Sequence, residues 1–480
     1  MSTSTQTRIE RDSLGERELP ASVYYGIQTA RAIENFPISG FKPYPEFVTA
    51  TVLVKKAAAQ ANAALGALDA PIAEAIIQAA DEVLAGRMMD QFVVDPFQAG
   101  AGTSHNMNVN EVLANRAIEI LGGEKGDYSV VHPNDHVNMA QSTNDVIPTA
   151  MRVAALELVS RLLPTLGTLA SAFLAKSIEF DRIVKSGRTH LQDAVPIRLG
   201  QEFGGYAAAL RKNSDRIVSA ASELKEIGLG GTAAGTGLNA PPGYRERVVK
   251  ELNALMNNPL VAAEGLRQAG DYFEAMQSMS PFVNLSGALR CLATDLARIA
   301  NDLRLLSSGP NTGLAEINLP AVQPGSSIMP GKVNPVMAEM TDMVCFQVMG
   351  NDQTIALAAQ AGQLELNVMM PVIAFDLLMS LAITTNAVKV LAARCVEGIT
   401  ANEERCRWYV EHSVSLVTAL NPKIGYARAA EIAKRAISQG KTIREVILEE
   451  KLLTPDEVAD VLDLYAMTEY KEEAEGGDRQ

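Results

Sequence analysis

From residue 146 to about residue 179, apolar side chains recur every three or four positions. Met151, Ala154, Leu158, Leu162, Leu166, Leu169 and Phe173 share one stripe, with Pro164 as a candidate kink. At 1.5 Å per residue the stripe predicts a helix roughly 45 to 50 Å long. Patterns of the same period cover about 197–226, 271–307, 334–361 and 366–396, so five long helices are expected. Each is apolar on more than one face and needs several neighbours, which predicts a helix bundle extended by association with other subunits. Alternating β-branched runs are few, and the chain reads as all-α. Shorter helical patterns run from Glu46 to Leu84, broken by a turn at Asp69-Ala70-Pro71, and again near 106–121. Residues 1–50 mix Gly, Pro and charges around Tyr24-Tyr25-Gly26 and read as an irregular arm. Beyond residue 398 the elements shorten, Pro422 interrupts them, and the acidic end at 472–478 reads as a disordered tail. Three domains are therefore expected: 1–143, 144–397 and 398–480.

At 480 residues there is ample length for a large core. Lys plus Arg is 42 against 56 for Asp plus Glu, a net charge of -14, and no basic cluster of nucleic-acid type occurs. Nucleic acid is not an expected partner. A small anionic substrate would have to be drawn in by a few local cations and backbone N–H groups. Residues 1–20 are polar, and no run of eighteen uncharged apolar residues follows; even the most apolar region, 368–393, carries Asp376, Asn386 and Lys389. Cys291, Cys345, Cys395 and Cys406 lack paired or metal-like spacing. A cytoplasmic protein without a membrane span is expected. His132 and His136 are four apart, but inside a Pro/Asn/Asp turn, so no metal site is expected.

Between the helical patterns lie polar loops. The most distinctive is Gly325-Ser326-Ser327-Ile328-Met329-Pro330-Gly331-Lys332-Val333-Asn334-Pro335. Two glycines and two prolines preclude a regular element, while its hydroxyls, ammonium and carboxamide could hold an anion and leave one hydroxyl for chemistry. It is not a nucleotide P-loop, because five residues separate Gly325 from Gly331-Lys332 and Val333 stands where Ser or Thr is needed. Gly228-Leu229-Gly230-Gly231-Thr232-Ala233 fails the dinucleotide spacing, since Ala233 occupies the third glycine position. No cofactor is expected. Gly102-Thr103-Ser104, Ser142-Thr143-Asn144 and Gly187-Arg188-Thr189-His190 carry similar polar equipment, although Ser142-Thr143-Asn144-Asp145 before the longest helix also fits a plain N-cap.

Together these loops resemble, in order and spacing, those of the fumarase/aspartase superfamily. The 325–335 string and Gly187-Arg188-Thr189-His190-Leu191-Gln192-Asp193-Ala194 are its most specific motifs, and the resemblance extends from Ile9 to about Leu464. It implies a three-domain fold whose five-helix bundle joins three others in a twenty-helix core of a homotetramer, with each active site built from three subunits. It also implies elimination from a four-carbon diacid through an enediolate, with Ser326 as the base and His190 at the leaving group. Thr103, Ser142, Thr143 and Ser327 would surround one carboxylate. Lys332 and Asn334, with Thr189, would hold the other, while Asn144 and Met329 complete the binding surface and Glu339 pairs with His190.

Two chemistries of that family compete, loss of ammonia and loss of water. Members that handle water read Gly-Ser-Gly-Thr and Ser-Ser-Asn-Asp in the first two loops; here the residues are Gly100-Ala101-Gly102-Thr103 and Ser142-Thr143-Asn144-Asp145, as in members that release ammonia. Ala32-Ile33-Glu34-Asn35-Phe36 and Leu366-Asn367-Val368-Met369 agree. Met370 departs from both patterns, and His132-Pro133-Asn134-Asp135 resembles a second dicarboxylate site or forms a simple turn. A storage protein that kept the fold and lost the activity is a further reading, opposed by the presence of Ser326, Lys332 and His190 together.

Overall fold

The computed structural model describes residues 6–469. The chain opens with a hairpin, β1 (Thr7–Asp12) and β2 (Gly15–Pro20), followed by α1 (Ile27–Asn35), α2 (Pro45–Ala64), α3 (Ala70–Leu84), α4 (Thr103–Ile120) and the long α5 (Thr143–Glu179). A second hairpin, β3 (Val184–Thr189) and β4 (Gln192–Arg198), leads into α6 (Leu199–Ser222). After β5 (Glu226–Ile227) come α7 (Tyr244–Leu255), α8 (Pro259–Ala262), β6 (Arg267–Gln268), α9 (Tyr272–Gln277) and α10 (Ser280–Leu306). Then β7 (Ile317–Asn318) precedes α11 (Val336–Gln360), α12 (Met370–Arg394) and β8 (Thr400–Ala401). The chain ends with α13 (Glu403–His412), α14 (Asn421–Ile424), α15 (Tyr426–Gln439), α16 (Ile443–Glu449) and α17 (Pro455–Val461).

Helices dominate, and the strands form only two-stranded ladders. The all-α expectation and the five long helices are borne out. The pattern at 271–307 divides into α9 and α10, because Ser278 turns extended before Ser280 restarts the helix with Pro281 in its first turn. The arm is more regular than its sequence suggested. TRIERD and GERELP pair in register from Thr7↔Pro20 to Asp12↔Gly15, yet nearly every side chain on both is polar, so no apolar alternation betrays the strands. The acidic end at 472–478 lies outside the described residues.

The chain forms two compact units, Met1–Pro164 with Asn213–Ala293 and Val344–Asn386, and Thr165–Lys212 with Thr294–Met343 and Ala387–Gln480. Each boundary falls within one of the long helices. In the first unit, Val48, Val52 and Ala59 of α2 pack with Ile76, Ala79 and Val83 of α3 and Val109, Val112 and Leu113 of α4. Small alanines allow the three helices to approach closely. The hairpin arm is fixed by two buried carboxylates: Glu10 accepts from the Ile27 amide (2.8 Å) and the Tyr128 hydroxyl (2.9 Å), and Glu111 accepts from the Gly26 and Gln28 amides (2.8 and 2.9 Å) at the start of α1.

In the second unit, Val410, Leu416, Leu420, Ile432, Ala436, Ile443, Val446, Ile447 and Val458 form a small core of the C-terminal helices. Thr442 with Glu445 and Thr454 with Glu457 close reciprocal capping boxes that start α16 and α17.

Candidate active site

In the first unit the site residues sit where two helices begin. The turn before α4 is left-handed at Ala101 and Gly102 (φ 62° and 86°), and the Ala101 amide donates to the Val368 carbonyl at 2.9 Å. A Cβ on Gly102 would come within 3.1 Å of the Ile147 side chain, so glycine is required both for its conformation and for close approach to α5. Thr103 is therefore the first residue of α4 and is exposed; the helix starts three residues earlier than its apolar pattern alone indicated.

Ser142 does cap α5. Its hydroxyl oxygen accepts from the Asn144 amide (3.2 Å), and its own amide donates to the Asp145 carboxylate (2.9 Å). That carboxylate also accepts from the Gly230 and Thr232 amides, both at 2.9 Å, and Asn144 Nδ2 donates to the Ala233 carbonyl at 2.8 Å. The glycine-rich 228–237 segment is thus a structural loop folded over the start of α5. Thr143 Oγ1 accepts from Asn106 Nδ2 at 3.2 Å, and as a hydroxyl it can still donate its own proton.

Beneath these residues lies a buried polar layer that sequence reasoning did not assign. Lys55 Nζ donates to Asn138 Oδ1 at 2.7 Å, an oxygen shared with Asn106 and Asn110 (both 3.3 Å). Burial lowers the Lys55 pKa to about 7 against the pull of Asp145, and raises that of Asp145 to about 6 despite its three amide donors. The usable signal for Asp145 was its spacing three residues after a capping serine. Lys55 followed by Lys56 in an alanine-rich helix gave no indication which lysine faced inward.

In the second unit, β3 and β4 bring Thr189 and His190 to a hairpin tip. His190 and Leu191 both have positive φ (57° and 62°), as a two-residue type I′ turn requires. Both site side chains are exposed there. The hairpin replaces the plain loop expected between two long helices. Its base is anchored by Glu316, which is fully buried and receives Arg188 through two bonds (2.9 and 3.0 Å) and Lys185 through one (2.9 Å). Arg188 also lies over the Tyr409 ring, 5.1 Å from its centroid.

The 325–335 string is a loop in the second unit, as expected. Its ends close on each other: Asn334 Nδ2 donates to the Gly325 carbonyl, and a Cβ on Gly325 would collide with the Lys332 carbonyl oxygen. Within the loop, Ser326 Oγ accepts from the amides of Ile328 (3.2 Å) and Met329 (3.0 Å). Ser327, Met329 and Lys332 are exposed, and Lys332 and Asn334 share a cleft of about 940 Å³ with Glu339 on the first turn of α11, and with Arg304 and Asn318. Among the described residues of one chain, the hairpin tip and this loop exchange no hydrogen bond, and His190 makes none to Glu339. No group of three His, Cys, Asp or Glu side chains among the described residues is arranged to hold a metal.

The first unit supplies hydroxyl donors, and the second supplies a lysine and a serine under two backbone amides, the kinds of group that stabilise carboxylate charge and an alkoxide. Comparison with known proteins identifies the family. A family model described as Lyase matches residues 15–350, and one described as Fumarase C C-terminus matches residues 416–469. Aspartate ammonia-lyase of Bacillus subtilis is 52% identical over 461 residues, covering 96% of each chain. The crystal structure of fumarate lyase:delta crystallin from Brucella melitensis bound to cobalt superposes with a TM-score of 0.93 at 51% identity, covering 97% of this chain and 100% of that one. Class II fumarase from Schistosoma mansoni superposes with a TM-score of 0.92 at 39% identity, covering 96% of this chain and 99% of that one. The chain belongs to the fumarase/aspartase superfamily of lyases, and its helical architecture is theirs.

Proposed function

We propose that this chain is an aspartate ammonia-lyase, releasing ammonia from L-aspartate to give fumarate. The observation that carries the reading is its 52% identity, over 96% of both chains, to an aspartate ammonia-lyase. The Ala101 and Thr143 positions of the first two loops agree. In the proposed reaction a Ser326 alkoxide removes a proton from the carbon beside a carboxylate, and the electron pair moves into that carboxylate as an enediolate. The pair then returns to form the double bond, the C–N bond breaks, and ammonia leaves with the bonding electrons. The amides of Ile328 and Met329, which point at Ser326 Oγ, reduce the cost of the alkoxide.

In this reading Thr103, Ser142, Thr143 and Ser327 donate to the carboxylate that becomes the enediolate. Lys332, Asn334 and Thr189 hold the other, Asn144 and Met329 complete the binding surface, and His190 meets the departing nitrogen with Glu339 as its partner. The three segments come from three subunits of a homotetramer. Apolar positions on the long helices that are exposed in one chain support association, among them Ile178 at 71%, Met343 at 63% and Phe346 at 60%. Two helical spans, Thr143–Glu179 and Met370–Gly398, are long and apolar enough to cross a bilayer, but buried charges on α5 such as Asp145 and Arg152 suit a protein core better. None of the four cysteines pairs with another in a disulfide, which suits a reducing compartment, and we assign the protein to the cytoplasm. The test is stoichiometry: L-aspartate should yield fumarate and ammonia in equal amounts. Ammonia without fumarate would overturn the reading.

A further inference from the structure

The first unit contains a separate polar cavity of about 170 Å³, bounded by Arg152, Glu223, Glu226, Arg267, Glu274 and Pro281, none of them in the loops described above. By volume it holds about five waters or one small organic molecule. At its floor is Arg152 of α5, 2% exposed. The guanidinium lies 4.9 Å from the Phe282 ring centroid, one nitrogen makes a long bond to the Pro148 carbonyl (3.4 Å), and the Nε–H has no partner. Among the described residues no carboxylate reaches salt-bridge distance of it. Burial accordingly lowers its pKa to about 10 even with Glu274 and Glu226 in the neighbourhood. A buried guanidinium with an idle donor is costly, and native interiors satisfy such groups.

The other charges around the cavity are mostly engaged. Glu226 pairs with Arg267 (3.3 Å) and accepts from the Gly270 amide (3.0 Å), while Glu223 accepts from Asn284 Nδ2 (2.8 Å). Glu274, exposed at the rim, has no side-chain partner among the described residues. The cavity therefore has a guanidinium without an ion partner at its floor, a lining of three carboxylates against two guanidinium groups, and, among the described residues, Glu274 without a side-chain partner at its rim. An anion alone would satisfy Arg152 and meet an excess of carboxylates, a cation alone would leave Arg152 bare, and water could accept from the Nε–H but would leave Arg152 without an ion partner. We infer that this cavity binds a small zwitterion of amino-acid type, its carboxylate on the Arg152 Nε–H and its ammonium toward Glu274. The inference is independent of the reaction proposed above.

Glycine is a suitable probe because it carries both charges and little else. Calorimetric titration of the full chain should show saturable glycine binding, with acetate and methylammonium each binding about tenfold or more weakly because one charge-assisted contact is missing. Glu274→Gln, a conservative change at an exposed position, should weaken glycine about tenfold, leave acetate binding no weaker than in the parent and leave thermal unfolding without ligand unchanged. Arg152→Met should abolish binding of both; should it fail to fold, Glu274→Gln decides. Absence of saturable glycine binding, equal binding by Glu274→Gln, or a crystal structure grown with glycine that holds only water against Arg152 would overturn the inference.

Discussion

In the proposed reaction Lys332 is the side chain expected to decide function without deciding the fold. It is exposed in the 325–335 loop and lines the cleft with Asn334. A dicarboxylate closed into that cleft loses water, and its charge must then be met by the protein. Lys332→Ala should weaken binding of succinate, a non-reacting dicarboxylate, by about 2 to 4 kcal/mol, and leave the unfolding midpoint unchanged. Succinate binding equal to the parent's would remove Lys332 from that role. Single residues also mark what was readable in advance. Ser326, Lys332 and Asn334 stand out because glycine and proline isolate them from any helix. Lys55 and Asp145 do not, since a buried charge in an apolar stripe has the same spacing as its apolar neighbours and only packing reveals which way it faces.

Among the elements, long helices were legible and short strands were not. The stripe runs along α5, a helix of 37 residues, and Met151, Ala154, Leu158, Leu162, Leu166, Leu169 and Phe173 are all buried as their period predicts. The β3–β4 hairpin, Val184 to Arg198, instead depends on a turn of two left-handed residues, His190 and Leu191, neither of them the glycine or asparagine that usually signals one. What holds the hairpin is Glu316, 118 or more positions along the chain from either strand, and no local pattern can report such a partner. Glu316→Gln should therefore leave Arg188 and Lys185 buried without full compensation. A loss of about 3 to 5 kcal/mol in urea unfolding is expected, with reduced turnover as Thr189 and His190 lose their support. A change below about 0.5 kcal/mol would show that the hairpin is held by other means.

At the scale of the whole molecule, the sequence showed that the helices carry more apolar surface than one chain needs, and the single chain leaves part of it uncovered on α5 and α11. Ser326 and His190 lie in different elements and exchange no hydrogen bond among the described residues of one chain, which the shared-site proposal explains by having different subunits supply them to one site. Ser326→Ala and His190→Ala proteins, each inactive, should regain part of the parent activity when unfolded and reassembled together, because some sites then receive both groups intact. Mixing the folded proteins without exchange should restore nothing, and inactive mixed tetramers would mean that both residues act from the same chain. The most direct measurement for the account is simpler still: fumarate formation by the parent protein, followed by absorbance, with saturating L-aspartate in one arm and saturating L-malate in the other. Faster turnover of L-aspartate is the predicted result, and L-malate turnover exceeding it would contradict the account.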